Sequence, residues 1–299
     1  MSLFRRLLAI GTLTAIFFAP LLVPLPVSAE DPAESITLSP VKKVYDLSAG
    51  QTIEDSLTIL NDGRTAYDFI VYAAPYSVTD SSYTPDFTTD KQQPNTDAYT
   101  WVEFPQTNWH AEPRQTLTVP FTLHVKATAS PGGHYGVIFA EVQPSKDENG
   151  NLARKKRVGS IVYATIKGDV KLAGRTTSID TPWFQSSVPL ITHATVENTG
   201  NNDFAANVTY RVSDVFGSVK YNTQKDYAIL PSTTRDVPQQ WDNAPWFGLY
   251  KVDVSIDVLG HKTEKSSYVL IMPKWLILLV GIVLIAGLVY VFRRRKKTS

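Results

Sequence analysis

The sequence predicts an all-β protein: two tandem Ig-like β-sandwich domains, with an N-terminal signal peptide and one C-terminal transmembrane helix. Three observations carry this. Apolar residues alternate over short runs, turn residues punctuate those runs, and a long apolar stretch lies near each end of the 299-residue chain. Alternation with period two marks a strand with one buried and one wet face.

Residues 1–29 read as the signal peptide. Arg5 and Arg6 form a basic start, and an apolar run follows from Leu7 to about Leu25, broken by Pro20 and Pro24. Val27-Ser28-Ala29 supplies the small residues that precede a cleavage site, which places maturation after Ala29.

Residues 30–172 are expected to form the first sandwich and 173–272 the second. Leu117, Val119, Phe121, Leu123 and Val125 alternate strictly, as do Val208, Tyr210 and Val212, and then Val252, Val254, Ile256 and Val258. Asn61-Asp62-Gly63, Pro131-Gly132-Gly133, Asn149-Gly150 and Asn198-Thr199-Gly200 supply turns. Many short strands at such spacing fit sandwiches. Thr58-Ile59-Leu60-Asn61-Asp62-Gly63 is echoed by Thr195-Val196-Glu197-Asn198-Thr199-Gly200, a hint of two related units. Residues 76–99 are polar and rich in Thr, Asp and Pro, and read as a long irregular loop.

Residues 273–292 are expected to cross a membrane. Trp275 to Phe292 carries no charge, and 18 helical residues span roughly 27 Å, close to a hydrocarbon core. Trp275 and Tyr290 sit where interfacial aromatics prefer. Arg293 to Lys297 follow, so 293–299 reads as a basic cytoplasmic tail and the rest of the mature chain as extracellular. The expected location is the cell membrane, crossed once.

Charge and cysteine content narrow the function. Eight of the 29 basic residues lie at the ends and none of the 28 acidic ones does, so residues 30–273 carry a net charge of −7. An acidic body does not suit nucleic acid, which needs a basic face. There is no cysteine, so the domains stand on packing without disulfides, and thiolate chemistry is excluded.

Catalytic motifs are missing. The five histidines, His110, His124, His134, His193 and His261, show no H-x-x-x-H spacing. There is no G-x-S-x-G elbow, P-loop or dinucleotide fingerprint. No cofactor, metal or catalytic residue is expected.

Three segments are candidates for ligand contact. In Pro131-Gly132-Gly133-His134-Tyr135-Gly136, the glycines permit either a ligand-contacting loop or a tight turn with a bulge. Arg154-Lys155-Lys156-Arg157 is either a patch for anionic wall polymers and headgroups or a solvated hairpin tip. Of the tryptophans, Trp241 and Trp246 lie in a loop-like stretch and are the ones expected at the surface.

The layout resembles the WxL-interacting protein family of Gram-positive surfaces. Ile36-Thr37-Leu38-Ser39-Pro40, Gly50-Gln51-Thr52, Pro131 to Ile138 and Val196-Glu197-Asn198-Thr199-Gly200 carry the resemblance, which covers roughly residues 33–297. It implies a peptidoglycan-binding first domain, a host-binding second domain and a WxL-type surface partner. The resulting expectation is a non-catalytic surface protein contacting peptidoglycan or partner surface proteins. The alternatives are an envelope-assembly or pilus-chaperone-like protein, whose strand edges pair with another chain, and a wall glycan hydrolase.

Overall fold

The computed structural model describes residues 35–88, 95–143 and 156–297. The signal peptide, Arg154, Lys155 and the Asn149-Gly150 turn lie outside them. The first unit contains β1 (Ile36–Ser39), β2 (Lys42–Leu47), β3 (Thr52–Asn61), β4 (Tyr67–Pro75), β5 (Ser77–Val78), β6 (Pro85–Asp86), β7 (Val102–Glu103), β8 (Asn108–Ala111), β9 (Thr116–His124), β10 (Gly132–Val142) and β11 (Arg157–Ile166). The second contains β12 (Gly174–Asp180), β13 (Phe184–Gln185), β14 (Leu190–Asn198), β15 (Phe204–Asp214), β16 (Val219–Ile229), β17 (Thr234–Asp236), β18 (Gln239–Trp241), β19 (Gly248–Val258) and β20 (His261–Ile271). Helix α1 (Lys274–Lys297) follows.

The two units share one wiring. In the first, β1 pairs with β3 in a four-stranded sheet ordered β1-β3-β9-β7. The chain breaks at Ser39-Pro40, and β2 crosses to the facing sheet, β2-β11-β10-β4-β8, where it runs parallel to β11. In the second, β12 pairs with β14, and β13 crosses to run parallel to β20 in the sheet β13-β20-β19-β15-β16. An opening strand divided between two facing sheets is the Ig-like device in both units, which matches the repeated Asn-x-Gly turn.

Alternation places each core. Leu57, Ile59, Phe69, Val119, Phe121, Leu123 and Ile138 fill the first sandwich. Val196, Val208, Tyr210, Val252, Val254 and Ile256 fill the second. Each such side chain contributes about 1.5–3 kcal/mol on burial.

Strand β10 is buried on both faces. Ile138, Ala140 and Val142 face the first core, whereas Tyr135, Val137 and Phe139 face a separate cluster with Tyr76, Val78, Tyr163 and Leu230. The segment after β4 supplies Tyr76 and Val78, so 76–99 is not merely a polar loop. Its described parts form the β5–β6 pair, where Tyr76, Val78 and Phe87 cover the outer face of the sheet, and a 3-10 turn at Ala98–Trp101, whose Ala98 and Trp101 join the first core.

Helix α1 is apolar on every side, and its described side chains are largely exposed. Among the described residues, no helix is long and apolar enough to cross a membrane. The uncharged run of the sequence continues through Val291 and Phe292.

Candidate functional site

The glycine segment is a joint between the units, which corrects its reading as a ligand loop or a bulge. Gly132, Gly133, His134 and Tyr135 are all buried, and β10 pairs with β11 without a register shift. Gly133 N donates to Asn201 O at 2.8 Å. A side chain at Gly132 would run into the Asn201 backbone. The Tyr135 hydroxyl donates to Asp203 Oδ1 at 2.8 Å and accepts from Asp203 N at 3.1 Å. Burial, then the Asp203 charge and its hydrogen bond, push the Tyr135 hydroxyl pKa upward, so it stays a neutral donor.

A second set of contacts flanks the joint. The Tyr83 hydroxyl accepts from Leu230 N at 2.8 Å, and Asp236 N donates to Ser81 O at 2.7 Å. The Arg235 guanidinium lies 4.2 Å from the Tyr83 ring centroid. A ligand therefore has no access to His134 or Tyr135 in this arrangement.

His134 also raises the question of a catalytic triad. Its Nδ1 lies 2.6 Å from Asp97 Oδ1, and its Nε2 lies 3.4 Å from Ser130 Oγ. Nε2 is closer to the Ser130 carbonyl, at 2.8 Å. A carbonyl only accepts, so Nε2 carries hydrogen and cannot take the hydroxyl proton that a nucleophile must lose. The arrangement is a clamp on the chain entering β10. Among the described residues, no group of three His, Cys, Asp or Glu side chains is arranged to hold a metal.

The remaining candidates separate. Trp241 is buried, which corrects its expected exposure. It stacks on Tyr221 and meets Tyr250 edge-on. Trp246 is 62% exposed. Lys156 and Arg157 are exposed at the start of β11, and the Arg157 guanidinium sits 4.6 Å from the Phe139 ring centroid.

The surface that stands out in the first unit was not singled out by the sequence. It is the outer edge of β2. Among the described residues no strand pairs with that side, and Val41 and Val44 are 71% and 68% exposed. Among the described residues of β1 to β11 and their connections, they are the exposed large hydrophobics. Sheet edges are commonly guarded by lysines, and β2 carries Lys42 and Lys43. Both are engaged elsewhere: Lys42 Nζ rests 3.8 Å from the Tyr163 ring centroid, and Lys43 Nζ pairs with Asp55 Oδ1 at 2.7 Å. The Tyr45 hydroxyl donates to the other Asp55 oxygen at 2.7 Å. Partial burial opposes the charge on Asp55, but hydrogen bonds from Lys43 and Tyr45 outweigh it and hold the carboxyl below its ordinary range. Val44, Tyr45, Thr165, Lys167, Gly168 and Val170 line an open groove alongside.

Among the described residues the other edge strands carry charged groups or are short, and β12 carries the exposed Arg175. β8 carries His110, which pairs with Asp68 at 2.7 Å. β16 carries Lys220, Lys225 and Asp226. β1, β7 and β13 have at most four residues.

No protein-family model matches the chain. No curated protein matches it either. Among solved structures it is similar to the class 5 fimbriae chaperone CfaA, with a TM-score of 0.40 and 12% identity over 80% of this chain and 100% of that one. The Pseudomonas aeruginosa CupB2 chaperone gives 0.39 and 11%, over 78% and 100%. The CsuC–CsuE chaperone–tip adhesion subunit complex of Acinetobacter baumannii Csu pili gives 0.40 and 9%, over 78% and 98%. At these scores the likeness carries no argument about function.

Proposed function

We propose that this chain is a non-catalytic binding protein of the cell surface that holds an extended segment of another surface protein by strand addition along β2. The observation that carries the reading is the open β2 edge, with Val41 and Val44 exposed and both neighbouring lysines engaged elsewhere. An added strand gains main-chain hydrogen bonds from the edge, and exposed valines offer seats for alternate side chains. The rigid joint would present this edge in a fixed relation to the second unit.

The proposal includes a tether. Helix α1 starts three residues after β20 ends and exposes apolar side chains on all sides. A helix apolar all round needs an apolar surround, and a bilayer supplies one. The two units would then lie outside the membrane and the basic tail inside. The family resemblance adds a WxL-type protein as partner, with peptidoglycan beside the first unit. A chaperone-like role in envelope assembly uses the same edge and differs in whether the partner is later released.

The test is site-specific photo-crosslinking of the full chain in intact cells, with the probe at Val41, at Val44 and, as a control, at Asn222 on β16. The expected result is one protein product shared by 41 and 44, absent at 222 and lost when Val44→Asp accompanies the probe at 41. A released partner would crosslink only transiently in a pulse-chase. Equal labelling at all three positions, or no protein product at 41 and 44, overturns strand addition.

A further inference from the structure

Exposed aromatic side chains are not scattered over this molecule. Among the described residues, every exposed large aromatic lies on α1 or at the end of the second unit from which α1 leaves. Off the helix these are Trp183, Phe216, Trp246, Phe247 and Tyr268, and on its first turn Trp275. Phe216 is 92% exposed and Trp183 77%. Among its described residues the first sandwich exposes none.

The sheet register brings them to one level. Asp214, two residues before Phe216, lies opposite Tyr250, and Tyr250 opposite Val269. Gly248, just after Trp246 and Phe247, lies opposite Ile271, three residues before the helix. Phe184, next to Trp183, lies beside Leu270. The collar is continuous with the helix, because Trp246 stacks on Trp275 with ring centroids 6.0 Å apart and planes at 26°.

The Phe216 tip is a built turn. Asp214 Oδ1 accepts from Phe216 N and from Ser218 N, each at 2.9 Å, and Gly217 takes a φ of +84°. Asp214 also pairs with Lys220 at 3.0 Å. Ordering this turn to expose a phenylalanine to water has no stabilising return within the chain, since apolar area left in water forfeits its burial energy.

We infer that this aromatic collar is a membrane-docking surface, with Phe216, Trp183, Trp246 and Phe247 lying in the headgroup region of the bilayer that α1 enters. Aromatic rings with an apolar body favour that interface. The occupant is lipid because these rings line the end of the sheet from which the apolar helix leaves, and Trp246 stacks on Trp275 of its first turn. The inference rests on the tether proposed above. It adds that the second unit is seated against the bilayer and does not swing free on the helix.

The chain has no cysteine, so one introduced cysteine labels one site. The full chain, reconstituted into phosphatidylcholine–phosphatidylglycerol vesicles, would carry an environment-sensitive fluorophore at Phe216→Cys, at Val215→Cys (which keeps Phe216) or at Ser82→Cys in the first unit. Flotation and resistance to alkaline extraction report the tether separately. Docking predicts blue-shifted emission and several-fold stronger quenching by shallow doxyl lipids at 215 and 216 than at 82. A chain that floats but whose labels at 215 and 216 match Ser82→Cys overturns docking and leaves the tether standing. Labels shielded without lipid quenching mean that a second copy covers the collar, which also overturns it. A chain that does not float removes both readings.

Discussion

Asn61 in the first unit and Asn198 in the second tie the same turn in the same way. Asn61 Nδ2 donates to Thr65 O at 2.9 Å and Ala111 O at 3.1 Å, and its Oδ1 accepts from Gly63 N at 3.0 Å. Asn198 Nδ2 donates to Asn202 O and Ile229 O, both at 2.9 Å, and its Oδ1 accepts from Gly200 N at 2.8 Å. Ala111 ends β8 and Ile229 ends β16, the corresponding edge strands. Both asparagines are buried, so each amide replaces water for three backbone groups.

Replacing either asparagine with alanine strands those backbone groups. Asn61→Ala and Asn198→Ala are each expected to lower stability by about 3 kcal/mol. Urea unfolding of the full chain in detergent would measure it. The two losses should add, because the sites lie in separate cores. A loss below the error of the midpoint at either site would show that the amide is dispensable.

Tyr135→Phe keeps the ring in its cluster and removes the hydroxyl from Asp203. The expected cost is about 1–2 kcal/mol, felt at the joint between the units and not in either core. Spin labels on cysteines introduced at Glu54 and Asn222 would report it as a broader distance distribution. An unchanged distribution would mean that the Tyr83 and Arg235 contacts hold the units alone.

Gly136→Ala tests packing behind β10. A methyl group there would meet Tyr99 N at 2.7 Å, a backbone atom in the 3-10 turn that cannot rotate away. Overpacking of this kind costs about 1–3 kcal/mol. Thermal melting should show it, and Gly217→Ala, with open space around it, gives a control in which only the positive φ is strained.

Much of the fold was legible because period two is a local signal. The runs at Leu117–Val125, Val208–Val212 and Val252–Val258 fall within β9, β15 and β19, with Val125 just past the end of β9. The repeated Asn-Gly turn held because one side chain ties it within four residues. The joint was not legible. β10 is buried on both faces only because the segment after β4 and Leu230 of the second unit cover it, and no spacing in the sequence records that contact. Trp241 and Trp246 share one short stretch yet part company, because Trp241 sits on three-residue β18, too brief to show a period. The β2 edge was hidden for another reason: its lysines look like guards until their partners on Tyr163 and Asp55 are known.

The His134–Asp97 pair should set the pH range of stability. Burial opposes the charge on His134, but the hydrogen bonds to Asp97 and to the Ser130 carbonyl outweigh it, so its pKa is raised from the ordinary 6.5. Unfolding then releases a proton at neutral pH. The stabilisation is complete below about 6.5 and is lost as pH climbs through the folded value. Burial likewise opposes the Asp97 charge, and the hydrogen bond from His134 outweighs it, so this carboxyl lies below its ordinary 3.8. Its contribution is present above about 3.9 and is lost as pH falls through the folded value. The pair therefore stabilises most between about pH 4 and 6.5. Melting temperatures from pH 4 to 9 should fall on the alkaline side, and His134→Gln should flatten that fall while lowering stability at pH 5. A parallel pH dependence in wild type and His134→Gln would assign the alkaline limb to other groups.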